Sequence, residues 1–191
     1  MKRLLLVPLF LATAATPAFA NLDPLAHGSL AAGFSHPFFG GDHILAMVAV
    51  GLWAALLGGR AVWIVPTAFV LTMLVGFGVA IGGLPVPLVE PVVLASVIVL
   101  GLLAATALQA PVALAAAMVG FLAFFHGHAH GGELGAAGAW PFAIGFAAAT
   151  AILHAIGIGL GLGAGGLMGR NLARGAGALT AIAGLWLALG A

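Results

Sequence analysis

The sequence predicts an all-α, polytopic membrane protein, a bundle of about six transmembrane helices behind a cleaved signal peptide. Three observations point there. Hydrophobic residues make up 64% of the 191-residue chain, charged residues 5%, and the mean hydropathy is +1.29, where ordinary soluble domains carry about 25% charged residues. Apolar runs of spanning length recur along the chain, each broken by Gly, Pro or charge. The few imidazole and acidic side chains gather at a handful of places instead of covering a surface. So few charges cannot coat a soluble fold, whereas about 20 apolar residues in a helix cross a bilayer with every backbone group bonded internally.

The elements follow in order. Lys2 and Arg3 open a basic start, residues 4–12 are apolar, and Ala18-Phe19-Ala20 is an A-x-A cleavage site, so residues 1–20 read as a signal peptide and 21–191 as the transmembrane domain. Pro8 and the short apolar core argue against an uncleaved anchor. Six spans are expected at 41–57, 62–81, 88–108, 112–125, 140–161 and 172–189. The first and fourth are short and should run on into the His-bearing residues beside them. With residue 21 outside, the cytoplasmic loops hold Arg60, then no basic residue, then Arg170 and Arg174. All the Arg residues of the mature chain then lie inside, as the positive-inside rule requires. The expected location is a bacterial inner membrane with a periplasmic mature N terminus.

Composition also excludes functions. A net charge of +1 with no basic cluster gives nucleic acid nothing to bind. Cys 0 removes disulfides, thiolate metal sites and Cys nucleophiles, so any metal must be held by His, Asp, Glu or backbone oxygen. The thirty Gly residues, among them Gly157, Gly159, Gly161, Gly163, Gly165 and Gly166, contain no phosphate-binding G-x-x-x-x-G-K-[ST] pattern. They read as positions where helices approach closely in lipid. The Met residues and Trp53, Trp63, Trp140 and Trp186 read as packing or interface anchors. Neither H-E-x-x-H nor G-x-S-x-G occurs, and no enzyme activity is expected.

The chemistry-bearing residues are His27, His36, Asp42 and His43 near the first span, Glu90 at the third, His126, His128, His130 and Glu133 at the end of the fourth, and His154 within the fifth. On the charge-derived topology the first three groups share the outer side. Ionisable groups at membrane depth are costly and mark function by default. Pro37 suits a first helical position, which would make His36 a cap and put His43, seven residues on, on the same face. His126 and His130 are an i, i+4 pair and Glu133 is i+3 from His130, unless Gly131 and Gly132 break the helix first. The candidate metal ligands are therefore His36, Asp42, His43, His126, His130 and Glu133, with His154, His128 and Glu90 as second-station or accessory candidates and His27 as a solvated tail residue. Imidazole with carboxylate suits Ni, Zn, Co or Cu(II). A proton relay, or a membrane metalloenzyme or haem protein using His43 and His126, stays open on these residues alone.

Two segments carry a resemblance. His36-Pro37-Phe38-Phe39-Gly40-Gly41-Asp42-His43 fits H-P-x-x-G-x-D-H, and Phe125-His126-Gly127-His128-Ala129-His130-Gly131-Gly132-Glu133 fits F-H-G-x-A-H-G-x-E, at every specified position. In these motifs, and in length, signal segment and span number, the chain resembles the HupE/UreJ nickel and cobalt permeases. The resemblance implies secondary uptake of nickel, or of cobalt in some relatives, for hydrogenase or urease maturation. It also implies that the His and acidic residues of both motifs are needed, that the metal ion is cargo and that no cofactor is permanently bound. His128 falls at a variable motif position, and His27 and His154 lie outside both motifs.

Overall fold

A computed structural model describes residues 29–134, 138–163 and 166–190, without the side chain of Glu133. The signal segment and His27 lie outside the described residues. Among those described, every regular element is helical: α1 (Leu30–Ser35), a 3-10 turn (His36–Phe38), α2 (Gly41–Leu57), α3 (Ala61–Ile81), α4 (Val89–Thr106), α5 (Val112–Leu134), α6 (Ala139–Gly163) and α7 (Gly166–Ala188). The helices α3, α4, α5 and α6 are long and apolar enough to cross a membrane, and α1 with its turn plus α2 make a fifth crossing if this pair, bent by 82°, is one span. The sixth expected span corresponds to α7. It is a full-length helix, but Arg170, Asn171 and Arg174 in its first half dilute its hydropathy and it does not qualify on apolarity alone. Its face of Gly169, Ala173, Gly177, Thr180, Ala181 and Gly184 is buried, packed mainly on α4.

The fourth span runs on past residue 125 into the His-bearing residues, as expected, and Gly131 and Gly132 do not break it: α5 continues to Leu134. Glycine costs a helix about 1 kcal/mol per residue in propensity, but here it is what lets α3 and α5 lie backbone against backbone. A Cβ on Gly127 would strike the Met73 carbonyl, and one on Gly131 would come within 2.6 Å of the Phe77 carbonyl and 2.8 Å of the Ala80 Cβ. One expectation about helix limits is corrected: no single helix runs from Pro37 through His43. His36 closes α1 and begins the 3-10 turn, Pro37 stands at that turn's start, and α2 begins only after Gly40, whose extended backbone (φ −94°, ψ 112°) forms its N-cap. The bend, not a shared helical face, sets where His36 points.

A second glycine seam joins α2 to α6. Added Cβ atoms on Gly51 and Gly157 would meet the carbonyls of His154 and Val48 respectively, which is the close helix approach read from the glycine content. The indole of Trp53, fully buried, donates from Nε1 to the Leu108 carbonyl at 2.9 Å and ties α2 to the chain entering α5. Trp63, Trp140 and Trp186 project outward, as do Leu71, Phe121, Ile144 and Leu179. That apolar exterior is the solvent preference of a protein surrounded by lipid.

Candidate metal-ion site

Helical periodicity places His126 and His130 one turn apart on the inward face of α5, and the first turn of α2 brings His43 between them. His43 Nε2 lies 2.5 Å from His130 Nε2 and 3.3 Å from His126 Nδ1. The rings meet edge to face, at 64° and 89° to His43. His126 is 0%, His130 5% and His43 6% exposed, so these three nitrogens converge at a point closed to water. His126 stands eight residues before the end of α5, or roughly 12 Å along the axis at 1.5 Å per residue. The cluster is therefore inside the bundle, deeper than a site at the mouth of the helices.

The far nitrogen of each ring is held as well. His43 Nδ1 lies 3.0 Å from Asp42 Oδ1, His126 Nε2 lies 2.7 Å from Ser96 Oγ, and His130 Nδ1 lies 3.0 Å from His36 Nε2. Metal-binding imidazoles are held in this way, with the outer nitrogen bonded to a carboxylate, hydroxyl or other polar group that orients the inner one. Among the described residues no group of three or more His, Asp or Glu side chains is placed to hold a metal ion as it stands. The inner nitrogens touch each other instead, 2.5 and 3.3 Å apart, where neighbouring ligands on bonds of about 2.0–2.1 Å at right angles stand ~3 Å apart. The rings would therefore have to move for an ion to enter, and nitrogens this close leave no flat slot for a porphyrin between His43 and His126.

Around the cluster, Phe146 of α6 packs on His130 with centroids 4.7 Å apart, and Phe142 faces the His36 ring at 5.5 Å. On the deep side Phe69 of α3 lies between two imidazoles, 5.7 Å from His126 and 4.9 Å from His154. His154 is 1% exposed, and neither ring nitrogen has a hydrogen-bond partner among the described residues. Leaving such a group unsatisfied costs about 1–3 kcal/mol. One turn before it on α6, Thr150 donates to Met73 Sδ at 3.7 Å, so a hydroxyl and a thioether share that layer.

Not every expected residue joins. The structure gathers His36, Asp42, His43, His126 and His130, with Asp42 behind His43 instead of at the centre. His128 turns to the other side of α5 and bonds the Leu84 carbonyl at 2.9 Å through Nε2. Glu90 is exposed in the first turn of α4. Glu133 belongs to the last turn of α5, and its side chain lies outside the described residues. Sequence reasoning missed Ser96 and Phe69. Ser96 had a signal, being the lone polar side chain of α4 between Glu90 and Thr106; Phe69 had none, one aromatic among many apolar neighbours.

Comparison with known proteins agrees with the two motifs. The family described as HupE / UreJ protein matches residues 9–187. Protein HupE of Rhizobium leguminosarum bv. viciae is 49% identical over 183 residues, which cover 94% of this chain and 95% of that protein. No solved structure matches significantly. A family match over nearly the whole chain and a relative this similar lead to one conclusion: the chain belongs to the HupE / UreJ family.

Proposed function

We propose that the protein is a secondary permease that imports nickel ions, with cobalt second, across a bacterial inner membrane to supply hydrogenase or urease maturation. The observation that carries this reading is the convergence of His43, His126 and His130 on one buried point, each with its outer nitrogen held by Asp42, Ser96 or His36. An all-imidazole centre with carboxylate behind it and no thiolate suits Ni, Co, Zn or Cu(II) and is poor for Ca or Mg, and membership of the HupE / UreJ family favours nickel and cobalt among these. Glu133 and Glu90, on the same side of the bundle, would gather cations from outside. His154, beyond the Phe69 ring, would serve as a second stop, since a carrier needs successive weak sites to both take up and release its ion.

No nucleotide is needed to drive this. A divalent ion moving inward gains about 2.3 kcal/mol per charge per 100 mV, roughly 4.6 kcal/mol in all, which supports an accumulation of about three decades. The basic residues favour the same direction: Arg60, Arg170 and Arg174 lie at the end of the bundle opposite the His cluster, and the positive-inside rule then makes the His end periplasmic.

The test is radiolabelled nickel uptake in a strain lacking other nickel importers, with unlabelled Ni, Co and Zn as competitors. Inhibition in the order Ni, Co, Zn is expected. Equal inhibition by Zn and Ni would contradict the selectivity, and no uptake above the empty-vector strain would contradict the function.

A further inference from the structure

We propose that Ser96 is a positioning residue that locks His126 in the tautomer with its proton on Nε2, leaving the Nδ1 lone pair aimed at the cation path. The inference deepens the permease reading and rests on it for the identity of the cation. Ser96 is fully buried in α4 and makes two short contacts: its hydroxyl donates to the Val93 carbonyl at 2.6 Å, and its Oγ lies 2.7 Å from His126 Nε2. A hydroxyl has one proton and two lone pairs. With that proton on the Val93 carbonyl, Oγ can only accept, and His126 Nε2 must be the donor. The opposite tautomer would have the carbonyl and Nε2 compete for one proton.

The consequence reaches the centre of the site. A neutral imidazole protonated on Nε2 carries its lone pair on Nδ1, which faces His43 Nε2 at 3.3 Å. His43 is fixed in the complementary sense, because its Nδ1 lies 3.0 Å from an Asp42 carboxylate oxygen that can only accept, which puts the lone pair on Nε2. His130 Nε2 also reaches His43 Nε2, at 2.5 Å, so without metal its N–H can take the His43 lone pair, while the His126 Nδ1 lone pair, 3.3 Å from His43 Nε2, is left for a cation. Without Ser96, His126 can carry its proton on Nδ1 and donate toward His43 Nε2 as well, which removes that lone pair from the path. The hydroxyl keeps the His126 lone pair available.

The experiment uses the full chain in lipid nanodiscs, free of metal, with nitrogen-labelled histidine. Solid-state NMR separates protonated from unprotonated ring nitrogens, and loss of signals in His126→Gln assigns the ring. In the wild type His126 is expected with its proton on Nε2. Ser96→Ala is expected to move it to Nδ1 and, in calorimetric titration with nickel alone, to weaken binding by about 10–100-fold, the usual effect of losing an outer partner of a ligand. Ser96→Thr, which keeps the hydroxyl, should restore both. An Nδ1-protonated His126 in the metal-free wild type overturns the proposal, and so does Ser96→Ala with unchanged tautomer, even if it melts at a lower temperature. Should Ser96→Ala fail to insert, the wild-type tautomer and its agreement with Ser96→Thr still decide. A wild type that binds no nickel would sink the permease reading while the tautomer assignment stood by itself.

Discussion

At the level of single residues, the arrangement separates imidazoles that share a chain neighbourhood but differ in surroundings. His130 touches His43 through one nitrogen and His36 through the other, so it couples the bend before α2 to the end of α5. His128, two residues away, faces the Leu84 carbonyl. His130→Ala is therefore expected to cut initial nickel uptake by more than tenfold at normal membrane levels, and His128→Ala to leave most of it, as immunoblot-normalised initial rates would show. His154 differs again, being buried behind the Phe69 ring with neither nitrogen partnered among the described residues. His154→Ala should slow transport several-fold while nickel binding to the purified protein changes little, and equal losses in both would remove the second stop. The i, i+4 spacing made the pairing of His126 with His130 legible, because helical geometry alone puts them on one face. The Asp42–His43 bond was not legible in the same way, since adjacent helical residues do not normally face each other; it forms in the first turn of α2, just after the Gly40 cap.

At the level of elements, the site depends on how closely α3 lies against α5. Gly127 sits between His126 and His128 and has no room for a methyl group, whereas a Cβ on Gly132 would meet nothing within 4 Å. Gly127→Ala is expected to destabilise the bundle by about 1–3 kcal/mol or more, the cost of overpacking, and to displace His126 from His43, with uptake falling accordingly. Gly132→Ala should be near neutral in thermal unfolding and in uptake. Equal behaviour of the two variants would show that the seam does not position the site. The glycines were legible as packing residues because no phosphate-binding pattern accounted for them. Their positions within the His motif made them look like a helix end, however, and only the α3 surface opposite explains why the helix continues. Likewise the 82° bend before α2 could not be read from Pro37 alone, because proline fits the start of a 3-10 turn as well as that of an α-helix.

At the level of the whole molecule, the bundle holds imidazoles near one end and arginines near the other, with an apolar exterior between. The six-span count rests on the bent α1–α2 pair forming one span and on α7 crossing despite Arg170 and Arg174. Reporter fusions should place the segment after Glu133 outside and the Arg60 loop and the start of α7 inside; a cytoplasmic fusion after Glu133 would invert the route. The fold class was legible because composition and hydropathy constrain a membrane protein so strongly. The depth of the His cluster was not, since it depends on which helices touch. The most direct test of the central claim, that nickel passes through the His43, His126 and His130 cluster, is initial nickel uptake into proteoliposomes under an inside-negative potential, comparing wild type with His130→Ala at equal reconstituted protein. Wild-type protein should accumulate nickel and His130→Ala should fall to the level of protein-free vesicles; near-wild-type uptake by His130→Ala would contradict the account and return the cluster to a structural role.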